Sequence, residues 1–215
     1  MSFIEQIKSH HLDILREVGN IGAGNAATSL SKILGKKIDM TVPNVRIVSF
    51  DEMMDMVGGA ENVIASIFLR IEGDAPGSIY FMLPLEQAKK YIELMTGEES
   101  FSFDNLPYSE LSVSALQELG NILSGSYLSA LSDFTKLSLY PSVPALGIDM
   151  VGAILSYGLM ELSQVSDYAI VIDTAVSEQD EMKESVQGHF FLLLDPNSFE
   201  KIFSALGVPL NESDS

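Results

Sequence analysis

Four residues recur at one spacing in two places along this 215-residue sequence. Asp13, Glu17, Asn20 and Pro43 reappear as Ser114, Glu118, Asn121 and Pro144, offset by 101 positions throughout. Both series step by four residues, then three, then twenty-three. An acid and an amide three apart are neighbours on one face of a helix. A carboxamide carries both donors and an acceptor, so it can hold a water in line with a phosphorus atom. A carboxylate beside it can ion-pair with a Lys or Arg of a partner and fix the register of docking. Orienting one water contributes on the order of 10²–10⁴ in rate, about 3–5 kcal/mol of barrier. The pair is not a self-sufficient hydrolase. No nucleophile with a base beside it is evident, and the only histidines are His10, His11 and His189. The chemistry needs a substrate that brings its own metal and its own reactive phosphoryl group.

A single Glu-x-x-Asn on a helix is ordinarily a solvated face, and Asp13 and Ser114 read equally well as helix-start residues. The repetition weighs against that reading for the acid and the amide. Ten of the 31 aligned positions from 13 to 43 are identical to their partners, namely Leu15, Glu17, Gly19, Asn20, Ile21, Gly24, Leu30, Ser31, Val42 and Pro43. A repeated fold unit needs only its apolar and glycine positions. Keeping Glu and Asn suggests the same chemistry in both copies, although a duplicated gene can also carry surface residues along passively.

The elements that must position these residues follow from periodicity. Leu12, Leu15, Val18, Gly22, Ala26, Leu30 and Ile33 form the stripe of a helix over about 11–34, stopped by Gly35. Positions 13, 17, 20 and 24 fall on its opposite, outward face. Gly19, Gly22 and Gly24 each weaken a helix by up to about 1 kcal/mol and point to close approach of a neighbouring backbone. Strands are expected at Val45–Phe50, Val63–Glu72 and Gly77–Leu83, and helices at Asp51–Gly58 and Leu85–Met95. The second half replays the order: a motif helix over Glu110–Thr135, a helix over Asp149–Leu162, strands at Tyr168–Val176 and His189–Leu194, and a helix over Ser198–Leu206. Either half alone would expose sheet edges and apolar faces. The expectation is one α/β domain, 1–215, of two repeats (about 10–97 and 110–207) joined across a pseudo-two-fold axis, with a central sheet flanked by helices and a frayed tail at 211–215.

Composition narrows the partners. Twelve Lys plus Arg against 30 Asp plus Glu give a formal charge of −18. Such a surface repels phosphate backbones and anionic lipid, so nucleic acid is not an expected partner and a basic protein is. The absence of cysteine removes disulfides, thiolate catalysis and Cys-based zinc sites. No segment reads as a signal peptide or a membrane span, so membrane insertion is not expected and the cytoplasm is the expected location. The run Gly19-Asn20-Ile21-Gly22-Ala23-Gly24-Asn25 is not a phosphate loop, since it sits within a helical pattern and lacks the lysine. The histidines lack metal-ligand spacing, and Met53, Met54 and Met56 read as helix packing.

The pattern Asp/Ser-x3-Glu-x2-Asn-x22-Pro, complete in both copies, resembles the signature of the CheC/CheX/FliY phosphatases of bacterial chemotaxis. The resemblance covers essentially the whole chain. Two intact motifs, with Leu15–Ala27 and Leu139–Pro144, are similar to the CheC-type members of Bacillus-type bacteria. It implies a CheC-like fold and hydrolysis of the aspartyl-phosphate of the response regulator CheY. By match, Asn20 and Asn121 would orient the attacking water, and Glu17 and Glu118 would engage the regulator's active-site lysine. Asp13 and Ser114 have a less defined role, and Pro43 and Pro144 would be structural. The chain would need no cofactor of its own, Mg²⁺ being supplied by the CheY active site. The resemblance also implies binding to the deamidase CheD, a contact that raises phosphatase activity. The segment 148–154 resembles the family's CheD-facing helix, with Asp149 as the candidate contact, and Asp149 reads equally well as the N-cap of that helix. FliY-type relatives carry a further switch domain that a chain ending at Ser215 would lack, and CheX-type relatives keep one motif and dimerise. Two motifs in one chain favour a monomer. A non-catalytic adaptor that binds phosphorylated CheY and regulates CheD is the competing reading.

Overall fold

The computed structural model describes residues 6–98, 101–104, 106–162, 168–178 and 186–210. Each half opens with a 26-residue helix, α1 (Ser9–Leu34) and α4 (Glu110–Thr135). Both end in the left-handed conformation, at Gly35 (φ 63°) and at Lys136 (φ 59°), so the second copy turns as the first does without the glycine. After α1 come β1 (Ile38–Thr41), β2 (Val45–Ser49), α2 (Phe50–Met56), β3 (Val63–Gly73), β4 (Gly77–Pro84) and α3 (Leu85–Thr96). After α4 come β5 (Leu139–Pro141), β6 (Ala145–Met150), α5 (Val151–Leu162), β7 (Tyr168–Glu178), β8 (Val186–Leu194) and α6 (Pro196–Ala205).

The strands form one antiparallel sheet in the order β1-β7-β8-β4-β3-β5, with β2 also paired to β7 and β6 to β3. The two halves therefore exchange strands. The β1–β2 segment of the first half lies on β7 of the second, and β5–β6 of the second lies on β3 of the first. The β4–β8 pair, Gly77 opposite Leu194 through Met82 opposite His189, closes the centre. Both faces are covered. One core layer joins α1, α3, α4 and α6 to the sheet through residues such as Leu30, Leu123, Tyr91 and Phe203. The other sets Met53 and Val57 of the α2 segment and Val151 and Leu155 of α5 against Tyr80, Met82, Phe191 and Leu193. Burial of Met53 fits the packing role expected for that methionine cluster.

The structure adds three strands that periodicity did not reveal, β1, β5 and β6, and it moves the start of α5. Ile148, Asp149 and Met150 are the end of β6, and α5 starts at Val151. Asp149 is thus not an N-cap: its Oδ1 accepts from the next backbone N–H, that of Met150, at 2.7 Å. Asp13 and Ser114 are not helix starts either, since α1 is capped at Lys8 and α4 at Ser109. The tail expected at 211–215 lies outside the described residues.

Candidate active site

The motif residues stand on the outer ridges of α1 and α4. Asp13, Glu17 and Asn20 are exposed on α1, and Ser114, Glu118 and Asn121 are exposed on α4. The opposite faces bury Leu15, Val18, Ala26 and Leu30 in one helix and Leu116, Leu119, Leu123 and Leu128 in the other. The amphipathic stripe thus seats each helix on the sheet and aims acid and amide at solvent. The helices pack on one another where Gly22 meets Tyr127. A Cβ on Gly22 would lie 2.8 Å from the ring and 3.0 Å from the Tyr127 Cα.

The long step from Asn to Pro has a geometric cause. Leu34 is fourteen residues beyond Asn20, about 21 Å along a helix. The seven steps from Gly35 to Val42 return about 23 Å at strand rise. The chain therefore comes back to the level of Asn20, where the Val42 N–H donates to Asn20 Oδ1 at 3.1 Å. A backbone N–H can only donate, so the atom facing it is the carboxamide oxygen. The NH₂ group and the second lone pair of Oδ1 are left toward solvent. Pro43 disfavours helical backbone at Val42, which keeps that N–H in an extended segment. Pro43 and Pro144 occupy the β1–β2 and β5–β6 connections, between the strands.

The second copy departs from the first. Val42 is 3% exposed and packed beside Gly19, whereas Val143 is 88% exposed. Ser142, just before it, is fastened to β3: its N–H donates to Arg70 O and its Oγ accepts from Arg70 N, both at 2.9 Å. Asn20 is held from behind, while Asn121 makes no comparable bond to Val143 among the described residues. Asp13 pairs with Arg16 across one turn at 3.6 Å, an exposed contact worth little. Glu17 and Glu118 make no ion pair among the described residues, which leaves both carboxylates available to a cation from outside.

The other residues singled out from sequence fall elsewhere. His11 is buried at the start of α1, its Nδ1 accepting from Lys8 N and its Nε2 bonded to Val208 O at 3.1 Å. Burial pushes its pKa below the usual value. His189 contacts Asp173 at 2.9 Å, and Asp173 contacts Arg46 at 3.3 Å, on the sheet face opposite the motif helices. Asp149 is exposed at the end of β6, beside a groove of about 640 Å³ whose walls include Ser66, Phe68, Tyr80, Ile148 and Ile154. No described helix is long and apolar enough to cross a membrane.

Comparison with known proteins gives concordant matches. The sequence profile of the CheC-like family matches residues 11–47 and 111–148, the two motif units. The CheY-P phosphatase CheC of Bacillus subtilis (strain 168) is 52% identical over 210 residues, spanning 98% of this chain and all of that protein. The flagellar motor switch phosphatase FliY of the same organism is 29% identical over 129 residues, 60% of this chain and 33% of FliY. Among solved structures, Thermotoga maritima FliY superposes with a TM-score of 0.71 at 21% identity, covering 94% of this chain and 98% of that one. The FliM middle domain of H. pylori follows at 0.65 and 13% identity, covering 93% and 99%. At these identities the structural matches speak for the fold alone.

Proposed function

The chain belongs to the CheC-like family, and from that premise we propose that it is a CheY-P phosphatase, removing the aspartyl-phosphate of the chemotaxis response regulator. The observation that carries this function is the 52% identity, over nearly the whole of both chains, to the Bacillus subtilis CheY-P phosphatase. The residue roles rest on geometry. Asn20, with its oxygen fastened by Val42, presents an NH₂ and a free lone pair to a water on phosphorus. Asn121, exposed at the matching position of α4, does the same in the second half. Glu17 and Glu118 project beside them as unpaired carboxylates and take a cationic side chain of the regulator. The chain's own residues bind the regulator and orient water. The metal that neutralises the phosphoryl group is Mg²⁺ carried by CheY. CheD is a second partner, bound at the β6–α5 junction. In support, Asp149 is exposed there, the adjoining groove is largely apolar, and a chain of charge −18 suits a basic partner. The internal pairing of the two halves makes a monomer sufficient, acting in the cytoplasm.

The test is decay of phosphorylated CheY with and without the protein. Wild type accelerates decay and Asn20→Ala/Asn121→Ala loses the acceleration, by a factor on the order of 10² or more. Asp149→Asn keeps the acceleration while binding CheD more weakly. Turnover that survives the double asparagine change sinks the water-orienting role. Complex formation with unchanged decay would make the protein an adaptor.

A further inference from the structure

The core behind the second motif helix holds a buried polar group that packing does not explain. Tyr91 lies on α3, which packs against α4 in the main core, and it is fully buried. Its hydroxyl has no hydrogen-bond partner among the described residues. Tyr127, also buried, satisfies its hydroxyl on Thr174 Oγ1 at 3.3 Å, so the fold does provide partners for buried phenols. An unpaired buried hydroxyl costs about 1–3 kcal/mol. Phenylalanine would fill the same volume without that cost, so packing gives no reason for the oxygen. The helix it packs against, α4, carries Glu118, the acid of the second motif. Burial first, and the negative charge of Glu118 second, hold the phenol protonated far above the usual tyrosine range. It is therefore always a donor, and the Glu118 carboxylate on the neighbouring helix is exposed and makes no ion pair among the described residues. Among the described residues the first half shows no counterpart. There α6 stands beside α1, Phe203 edge-on to His11, and its buried face presents Phe199, Ile202 and Phe203.

We propose that Tyr91 is a positioning residue for the second site, donating its hydroxyl hydrogen to the Glu118 carboxylate when the regulator docks and so fixing the direction in which that acid meets the regulator's cation. The proposal rests on the phosphatase reading above. It makes the two sites unequal by construction. The first fixes its amide, through Val42, and the second fixes its acid, through Tyr91.

The test separates the sites by removing one docking acid at a time. Affinity for beryllofluoride-activated CheY, which docks without turnover, is measured in Glu17→Ala and in Glu118→Ala, each with and without Tyr91→Phe. With only the second site left, Tyr91→Phe weakens binding about fivefold, the worth of one net hydrogen bond. With only the first left, affinity is unchanged. In turnover assays on Asn20→Ala the same change raises KM and leaves kcat in place. Thermal melting of Tyr91→Phe at or above the wild-type temperature separates this loss from unfolding. Equal affinity with and without the hydroxyl in the Glu17→Ala background overturns the proposal, as do equal losses in both backgrounds. If wild type itself fails to bind activated CheY, the phosphatase reading falls and the proposal with it, an outcome distinct from binding that ignores Tyr91.

Discussion

At the scale of single residues the two copies of one motif are chemically alike and physically different. Asn20 and Asn121 sit at matching positions of matching helices, yet among the described residues only Asn20 is bonded to the segment that follows, through Val42 N. Replacing either by Ala in a helix interior gains the same propensity, roughly half a kcal/mol. Only Asn20→Ala also strands the Val42 N–H, so it is expected to be about 1 kcal/mol less stable than Asn121→Ala. Urea unfolding of the two single variants measures this difference, and equal stabilities would mean that the Val42 bond contributes nothing. The acid and the amide stood out in the sequence because polar residues recurred where a fold repeat did not require them, and the structure leaves all four exposed on α1 and α4. The groups that position them were not. Val42 contributes a backbone N–H, which carries no residue signature. Tyr91 lies on a different helix, reached only by tertiary packing.

At the scale of elements, the glycines of α1 divide by what stands opposite them. Their cluster signals a close approach, and the structure assigns it chiefly to Gly22, whose missing side chain makes room for Tyr127 and the backbone of α4. Gly24, two residues on, faces open space. Gly24→Ala is therefore expected to stabilise by up to about 1 kcal/mol, through helix propensity alone. Gly22→Ala gains the same propensity but forces α1 from α4, for a net loss of about 1–3 kcal/mol. Denaturant midpoints of the two variants should move in opposite directions, and a shared direction would refute the helix crossing. Long elements were visible because their periodicity extends over several turns. The strands β1 and β5 were not, since four and three residues are too few to establish alternation. The start of α5 was set late by pairing: Asp149 and Met150 stand opposite Ile64 and Val63 on β3, and that ladder overrides the capping preference of the aspartate.

At the scale of the whole molecule, the repeat is a unit of sequence and not a unit of structure. A pseudo-symmetric pair of halves was legible from the order of elements, but which strand pairs with which was not, because side-chain periodicity does not encode partners. The β1–β2 segment leaves its own half to pair with β7, and β5–β6 leaves to pair with β3. The central β4–β8 contact also joins the halves. A chain of residues 1–98 alone would lack all three partners and would expose both edges of its β3–β4 hairpin. Pseudo-symmetry supplies a substitute: a second copy of the same half can offer its β3 to β1–β2 and its β4 to β4. The isolated half is accordingly expected to be either unfolded or dimeric. Addition of the complementary half, residues 106–215, should restore a 1:1 complex and acceleration of CheY-P decay. Light scattering with circular dichroism decides the matter. A folded monomer of 1–98 with a cooperative melt would show that the first repeat stands by itself, and the exchange of strands would then be incidental to how each site is held.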